Sequence, residues 1–361
     1  MKHASSITRR KTRTIRLGDV SIGGDSPVIV QSMTNTDTRD VRATVRQIHA
    51  LEKAGCEIIR VAVPDQSAAE AIPAIRKRIH LPLIADIHFD YRLALAAIQG
   101  GAEGIRINPG NIARDRIGEI IEAARERKTV IRIGVNAGSL QKDLWKKYGG
   151  PTAEALAESA LQNIRFFEDH DFDLIKLSLK SSDVPTMIEA YRAISAKIDY
   201  PLHLGVTEAG SLVTAAIKSS LGIGTLLYEG IGDTIRVSVT GDPVSELPVA
   251  YGILRALKIR QVGPEIISCP TCGRCEIDLP TLTGRIEKAL AGKTQYLKIA
   301  LMGCVVNGPG EAADADIGIA GGRGQGIIFK KGKPLRKVAE KDFVKALMKE
   351  INIMMDERKQ V

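Results

Sequence analysis

Two segments decide how this chain reads: Gly104-Ile105-Arg106-Ile107-Asn108 and Val130-Ile131-Arg132-Ile133-Gly134-Val135-Asn136. Side chains alternate along a strand, so Ile105, Ile107, Ile131 and Ile133 share one face while Arg106, Asn108, Arg132 and Asn136 share the other. Such a strand is apolar toward packed helices and basic toward an enclosed interior. The pattern recurs in both directions. Asp86 and His88, then Lys176, Ser178 and Lys180, then Arg236 and Ser238, alternate with Ile175, Leu177, Ile235 and Val237.

Each of these segments is one beat of a strand, a loop and a helical stretch of period near 3.6. Strands are expected at 28–33, 57–63, 83–88, 104–108, 130–136, 174–178, 202–206 and 234–239. Helices are expected at 41–54, 114–127, 153–168, 185–198, 212–221 and 243–257, among others. Eight strand-helix units within about 230 residues match a closed parallel (β/α)8 TIM barrel. An open doubly wound sheet fits less well, because no Gly-x-Gly-x-x-Gly follows the first strand. A short hairpin turning at Gly18-Asp19 precedes the barrel and is expected to plug one end.

Composition agrees with an α/β protein. Aromatic residues make up only 4% of the 361, while 44% are hydrophobic, which suits parallel strands and close-packed helices. The net charge of +9 favours anionic partners. Arg60, Arg106, Arg132, Lys176 or Lys180, and Arg236 recur at equivalent places in different beats, so a compact polyanion such as a diphosphate is the expected ligand. The scarcity of aromatics argues against single-stranded nucleic acid, and no apolar run is long enough for a membrane span. Glu208, in Gly205-Val206-Thr207-Glu208-Ala209-Gly210, places a carboxylate beside that basic mouth and is the candidate proton-transfer group.

Gln261-Val262-Gly263-Pro264 breaks the helical pattern, so the domains are expected at 1–262 and 263–361. The second domain should be a small α/β module, with a helix at 282–290, strands at 297–302 and 315–320, a hairpin around Lys331-Gly332-Lys333 and a closing helix at 340–354. It carries four of the five cysteines, in Cys269-Pro270-Thr271-Cys272-Gly273-Arg274-Cys275 and at Cys304. That spacing suits a structural zinc site or an iron-sulfur cluster. Disulfides are the weakest reading, and a reducing cytoplasm fits better. Cys56 reads as a buried core residue.

The segments Ser268-Cys269-Pro270-Thr271-Cys272-Gly273-Arg274, Gly303-Cys304-Val305-Val306-Asn307-Gly308-Pro309-Gly310-Glu311, Ile105 to Asn111 and Gly205 to Gly210 together resemble the 4-hydroxy-3-methylbut-2-enyl diphosphate synthase family in its compact bacterial form. The resemblance runs over essentially the whole chain. It implies reductive ring opening and dehydroxylation of 2-C-methyl-D-erythritol 2,4-cyclodiphosphate, with flavodoxin or ferredoxin supplying electrons. It further implies a [4Fe-4S] cluster held by Cys269, Cys272, Cys304 and Glu311, leaving Cys275 spare and one iron open to a substrate oxygen. Arg60, Arg106, Arg132 and Lys180 would hold the cyclic diphosphate, with Asp86, Asn108 and Asn136 orienting it and Glu208 moving a proton. The family form is a homodimer whose subunits share the site.

Overall fold

The computed structural model describes residues 7–304 and 312–357. These divide into two compact units, Met1–Arg260 and Gln261–Val361.

The first unit is a parallel β/α barrel. Its strands are β3 (Ile29–Met33), β4 (Ile58–Ala62), β5 (Leu83–Asp86), β6 (Gly104–Ile107), β7 (Val130–Asn136), β8 (Ile175–Lys180), β9 (His203–Leu204) and β10 (Thr234–Ile235). They follow one another in the order β8-β7-β6-β5-β4-β3-β10-β9. A parallel bridge from Leu177 to Leu202, and the Leu177 N–H donating to Pro201 O at 3.0 Å, bring the two ends of that sheet together. Helices α1 (Val41–Lys53), α2 (Gln66–Arg76), α3 (Tyr91–Gln99), α4 (Arg114–Arg127), α6 (Ala153–Glu168), α7 (Val184–Ser195), α8 (Leu212–Tyr228) and α9 (Glu246–Ala256) surround it, and α5 (Lys142–Tyr148) is added after β7. Asp40, Asp65, Asp90 and Asp183 each accept a first-turn backbone N–H, the side-chain cap that lets a helix start directly after a short loop.

The outward strand residues are aliphatic and sealed under the helices: Ile59, Val61, Leu83, Ala85, Ile105, Ile107, Ile131 and Ile133 are fully buried. Inward residues change character along the axis. At the N-terminal end, Ile29, Ile58, Ile84 and Val130 pack on Ile15, Leu17 and Ile22 of the hairpin β1 (Ile15–Leu17) and β2 (Val20–Ile22). A Cβ on Gly104 would lie 2.7 Å from Leu17 Cδ1, so the plug is fitted tightly. Above it the inward residues become polar.

Strands β9 and β10 fall furthest short of their expected ranges, and β5 ends at Asp86, before His88. Beyond Leu204 and Ile235 the ladder gives way to loops. There the Val239 N–H donates to the Glu246 carboxylate at 3.4 Å, a side-chain acceptor in place of a neighbouring strand.

The second unit is a five-stranded sheet in the order β11-β12-β13-β14-β15: Pro264–Ser268, Leu297–Met302, Ile317–Gly322, Gln325–Lys330 and Lys333–Ala339. The first three strands are parallel and the last two antiparallel. Helix α10 (Leu279–Leu290) and the helix Phe343–Glu357 pack on the sheet through Leu282, Ile286, Leu347 and Ile351, against Ile299, Leu301, Ile317 and Ile319. Strand β11 begins at Pro264, inside the segment that reads as a linker. Proline fits there because it stands at the first position of an edge strand.

Candidate active site

The β-strand register lays a row of charged residues across the barrel. Asp86 pairs with Arg106, Arg106 with Arg132, and Arg132 with Lys176, on four successive strands. Asp86 is the only acid in that row. Its carboxylate lies 3.8 Å from Arg60 Nε, 3.4 Å from Arg106 Nη1 and 3.6 Å from His88 Nε2. Burial raises the Asp86 carboxyl, but Arg60, His88, Arg106 and Arg132 outweigh it and hold the group well below the usual carboxylate range.

The cations outnumber this acid, and two have no partner. All three guanidinium nitrogens of Arg132 and the Nζ of Lys176 are buried without a hydrogen-bond acceptor among the described residues. Asp233, whose charge favours the Lys176 ammonium, is already committed to Arg9 and Thr12 at 3.0 Å each and to the Leu202 N–H at 2.8 Å. Burial therefore pushes Lys176, Lys180 and Arg132 well below their ordinary values, and the neighbouring arginines push the same way. Burial likewise lowers Arg60, to about 10, with Asp86 opposing. Isolated buried charge is costly unless a counter-charge arrives, so this interior is built to receive an anion.

A cavity of about 470 Å³ opens above it, lined by Arg106, Asn108, Asn136, Lys180, Thr207 and Glu208 among others. The Asn136 amide, oriented by its partners, accepts from Arg106 Nη2 at 2.8 Å. Asn108 Oδ1 accepts the Gly110 N–H at 3.1 Å, fixing the loop that follows β6. Glu208 is exposed in the cavity wall. Its backbone stands in the left-handed region at φ 53°, an uncommon conformation for a residue with a side chain and a frequent mark of functional sites. The larger groove of about 560 Å³ between α8 and α9, lined by Ala216, Gly224, Val249 and Ile253, offers little chemistry beside this one.

Of the residues the sequence singles out, Arg106, Asn108, Asn136, Lys180 and Glu208 line the cavity. Arg60, Asp86 and Arg132 are buried beside them, in the charged row or against it. Glu246 is a buried partner of Arg236 that patterning does not reveal. Buried in the first turn of α9, it takes Arg236 Nη2 at 2.9 Å and Ser32 Oγ at 2.7 Å, which aims Arg236 inward. In sequence it reads as an ordinary helix-start acid.

In the second unit, Cys269 follows β11 and Cys304 follows β12, neighbouring parallel strands, so both emerge at the same sheet edge. The Gly303 N–H donates to Cys269 Sγ at 3.2 Å, the kind of backbone bond that stabilises a sulfur ligand. Cys272 is exposed, and a backbone hydrogen bond from Arg274 lowers its thiol. Cys275 differs: its S–H donates to Ile277 O at 3.3 Å, and a Cβ on Gly303 would collide with its sulfur. Among the described residues no three donors stand at metal-holding spacing, and Glu311 lies outside the described residues. The donor chemistry, soft sulfur with backbone N–H support, fits a thiolate-held cluster.

The chain matches the GcpE TIM-barrel domain over residues 12–251 and the GcpE protein C-terminal domain over residues 265–353. It is 57% identical over 351 residues to a protein of Geobacter sulfurreducens, covering 97% of this chain and 99% of that one. The corresponding protein of Lawsonia intracellularis is 59% identical over 97% of this chain and 98% of its own length. That of Thermodesulfovibrio yellowstonii is 59% identical over 96% and 99%. All three are named 4-hydroxy-3-methylbut-2-en-1-yl diphosphate synthase (flavodoxin). With both domain matches in chain order and near-full-length identity of this degree, the chain belongs to the GcpE family of 4-hydroxy-3-methylbut-2-en-1-yl diphosphate synthases.

Proposed function

We propose that this chain reduces 2-C-methyl-D-erythritol 2,4-cyclodiphosphate to 4-hydroxy-3-methylbut-2-enyl diphosphate and water, consuming two electrons and two protons. The observation that carries the substrate class is the pair of buried, partnerless cations Arg132 and Lys176 beneath the mouth cavity. A diphosphate supplies the missing counter-charge, and its two phosphoryl groups suit forked guanidinium donors.

Arg60, Arg106, Arg132 and Lys180 hold the diphosphate, and Asp86 keeps Arg60 and Arg106 fixed. Asn108 and Asn136 orient the carbon skeleton. Glu208, on the cavity wall, donates the proton that lets the departing oxygen leave as water. Cys269, Cys272, Cys304 and Glu311 would hold a [4Fe-4S] cluster, which when bound would relay the two electrons one at a time. Flavodoxin, or ferredoxin in its place, is the proposed donor, and a reducing cytoplasm the proposed setting. The described residues contain no helix long and apolar enough to cross a membrane. The proposed working form is a homodimer whose subunits share the site, so mixing Glu208→Gln and Cys272→Ser subunits should restore turnover; inactive verified heterodimers would count against it.

The experiment for the reaction itself is anaerobic purification, metal analysis and turnover of the cyclic diphosphate with reduced flavodoxin. Iron with inorganic sulfide and formation of the linear diphosphate are expected. Zinc without iron in carefully handled protein would overturn the reading.

A further inference from the structure

We infer that Gly134 is a positioning residue of the anion site: its missing side chain is the space in which the Arg106 guanidinium lies. Gly134 stands between Arg132 and Asn136 on the inward face of β7. Its φ is not in the left-handed region, so the backbone there suits any residue and does not explain a glycine. The surroundings do. A Cβ at position 134 would lie 2.6 Å from Arg106 Nε, 2.9 Å from Nη2 and 3.1 Å from Cζ. The guanidinium thus runs along the bare backbone of the neighbouring strand, closer than any methyl group permits.

That placement fixes what Arg106 can do. With its head against Gly134, Nη1 reaches Asp86 at 3.4 Å and Nη2 reaches Asn136 at 2.8 Å, and the residue is 6% exposed. An added methyl meets the far end of a long side chain rather than backbone, so the fold gives way by moving the guanidinium. Gly134 therefore acts on function through Arg106, with little part in stability. The second contrast is Gly205, also beside a site cation, where a Cβ would meet Arg236 O at 2.8 Å and Lys180 Nζ at 3.4 Å. There the first obstacle is backbone, and no comparable separation of position from stability follows.

This inference rests on the proposed diphosphate site, and its test separates the two. Substrate affinity is measured calorimetrically in the oxidised holoenzyme, where turnover cannot proceed without reductant, and KM and kcat are measured with reductant. Gly134→Ala should melt close to the parent and weaken both affinity and KM roughly tenfold to a hundredfold, the loss expected of one displaced charge-assisted donor. The change in kcat should be smaller. Arg106→Ala, which removes the side-chain atoms that the added methyl would meet, should weaken binding by itself, and adding Gly134→Ala to it should change little further. Multiplicative losses in the double variant would overturn the inference while leaving the diphosphate site standing. Unchanged affinity in Arg106→Ala and Arg106→Gln alike would take Arg106 out of the anion site and overturn this inference, whereas a parent holoenzyme that binds no cyclic diphosphate would remove the diphosphate reading itself. If Gly134→Ala fails to fold, Gly134→Ala/Arg106→Ala should fold; failure of both would assign the glycine to the backbone and refute the positioning role.

Discussion

The barrel interior and the cysteine edge of the second unit hold their functional groups in opposite ways. In the barrel, Asp86, Arg106, Arg132 and Lys176 sit in register on four hydrogen-bonded strands, with aliphatic neighbours sealed under helices. The charges are placed in advance, and the cost is buried cations without partners. In the second unit Cys269 and Cys304 follow strand ends, and Cys272 stands exposed in the connecting loop. The difference tracks the strength of the bonds each ligand makes. A reversibly bound anion must not spend its affinity on ordering side chains, whereas thiolate-metal bonds are strong enough to order the segments that supply them.

The cysteine edge is where the comparison breaks most sharply. Cys272→Ser should lose the cluster and all turnover, read from iron content and the visible absorption band. Cys275→Ser should keep both, because that sulfur already donates to Ile277 O. Loss of iron in the Cys275 variant would return it to the ligand set. Cys275→Ser should also leave substrate affinity unchanged, and Cys272→Ser should lose only the part an open iron would add, since the barrel's cations are placed on their own strands.

The pH dependence of that affinity is the next and smaller effect. Burial holds Lys180, Lys176 and Arg132 low in the free protein, and a bound anion restores them toward their ordinary values. Groups whose affinity for protons rises on binding take protons up, so binding weakens as pH climbs from the depressed free-state value toward about 10.5, by up to about tenfold per unit for each fully coupled proton. The same depression means the unfolded chain holds more protons than the folded one. Without ligand, these groups therefore subtract stability as pH falls below the ordinary lysine range. Calorimetry of diphosphate binding at alkaline pH, in buffers of different ionisation enthalpy, should show proton uptake. No net proton exchange would mean that the cations are charged already in the free protein.

Much of this architecture is written in the chain. Alternation in β6, β7 and β8 fixed both the barrel and the inward basic face, because each basic position is flanked by isoleucine or leucine that only burial explains. The ends of β9 and β10 were less legible: after one last strand bond, from the Arg236 N–H to Leu204 O at 2.9 Å, the Val239 N–H turns to Glu246, a partner that lies beyond the strand. Strand β11 was hidden because Gly263-Pro264 reads as a breaker and Glu265, Ile266 and Ile267 are only half-buried, leaving no alternation to detect. Gly134 was illegible for another reason. A glycine within a strand signals a weak or bulged position, and its role appears only when Arg106 is seen across the sheet.

Glu208 provides the finest test of the contrast between groups placed in advance and groups ordered by their ligand. The barrel carries a conformational cost there as well as an electrostatic one, since a left-handed φ of 53° disfavours a residue with a Cβ by roughly 1 kcal/mol relative to glycine. The loop that imposes it also turns Gly210 to φ 90°, so the chain holds the carboxylate at the wall by geometry rather than by a capping bond. Glu208→Gly should therefore raise the barrel's melting temperature by about 2–4 °C while abolishing turnover. Glu208→Gln, which keeps the Cβ, should lose turnover by roughly a hundredfold or more with no gain in stability. A glycine variant no more stable than the glutamine variant would show that the left-handed turn costs the barrel nothing, and that the carboxylate's position owes nothing to stored strain.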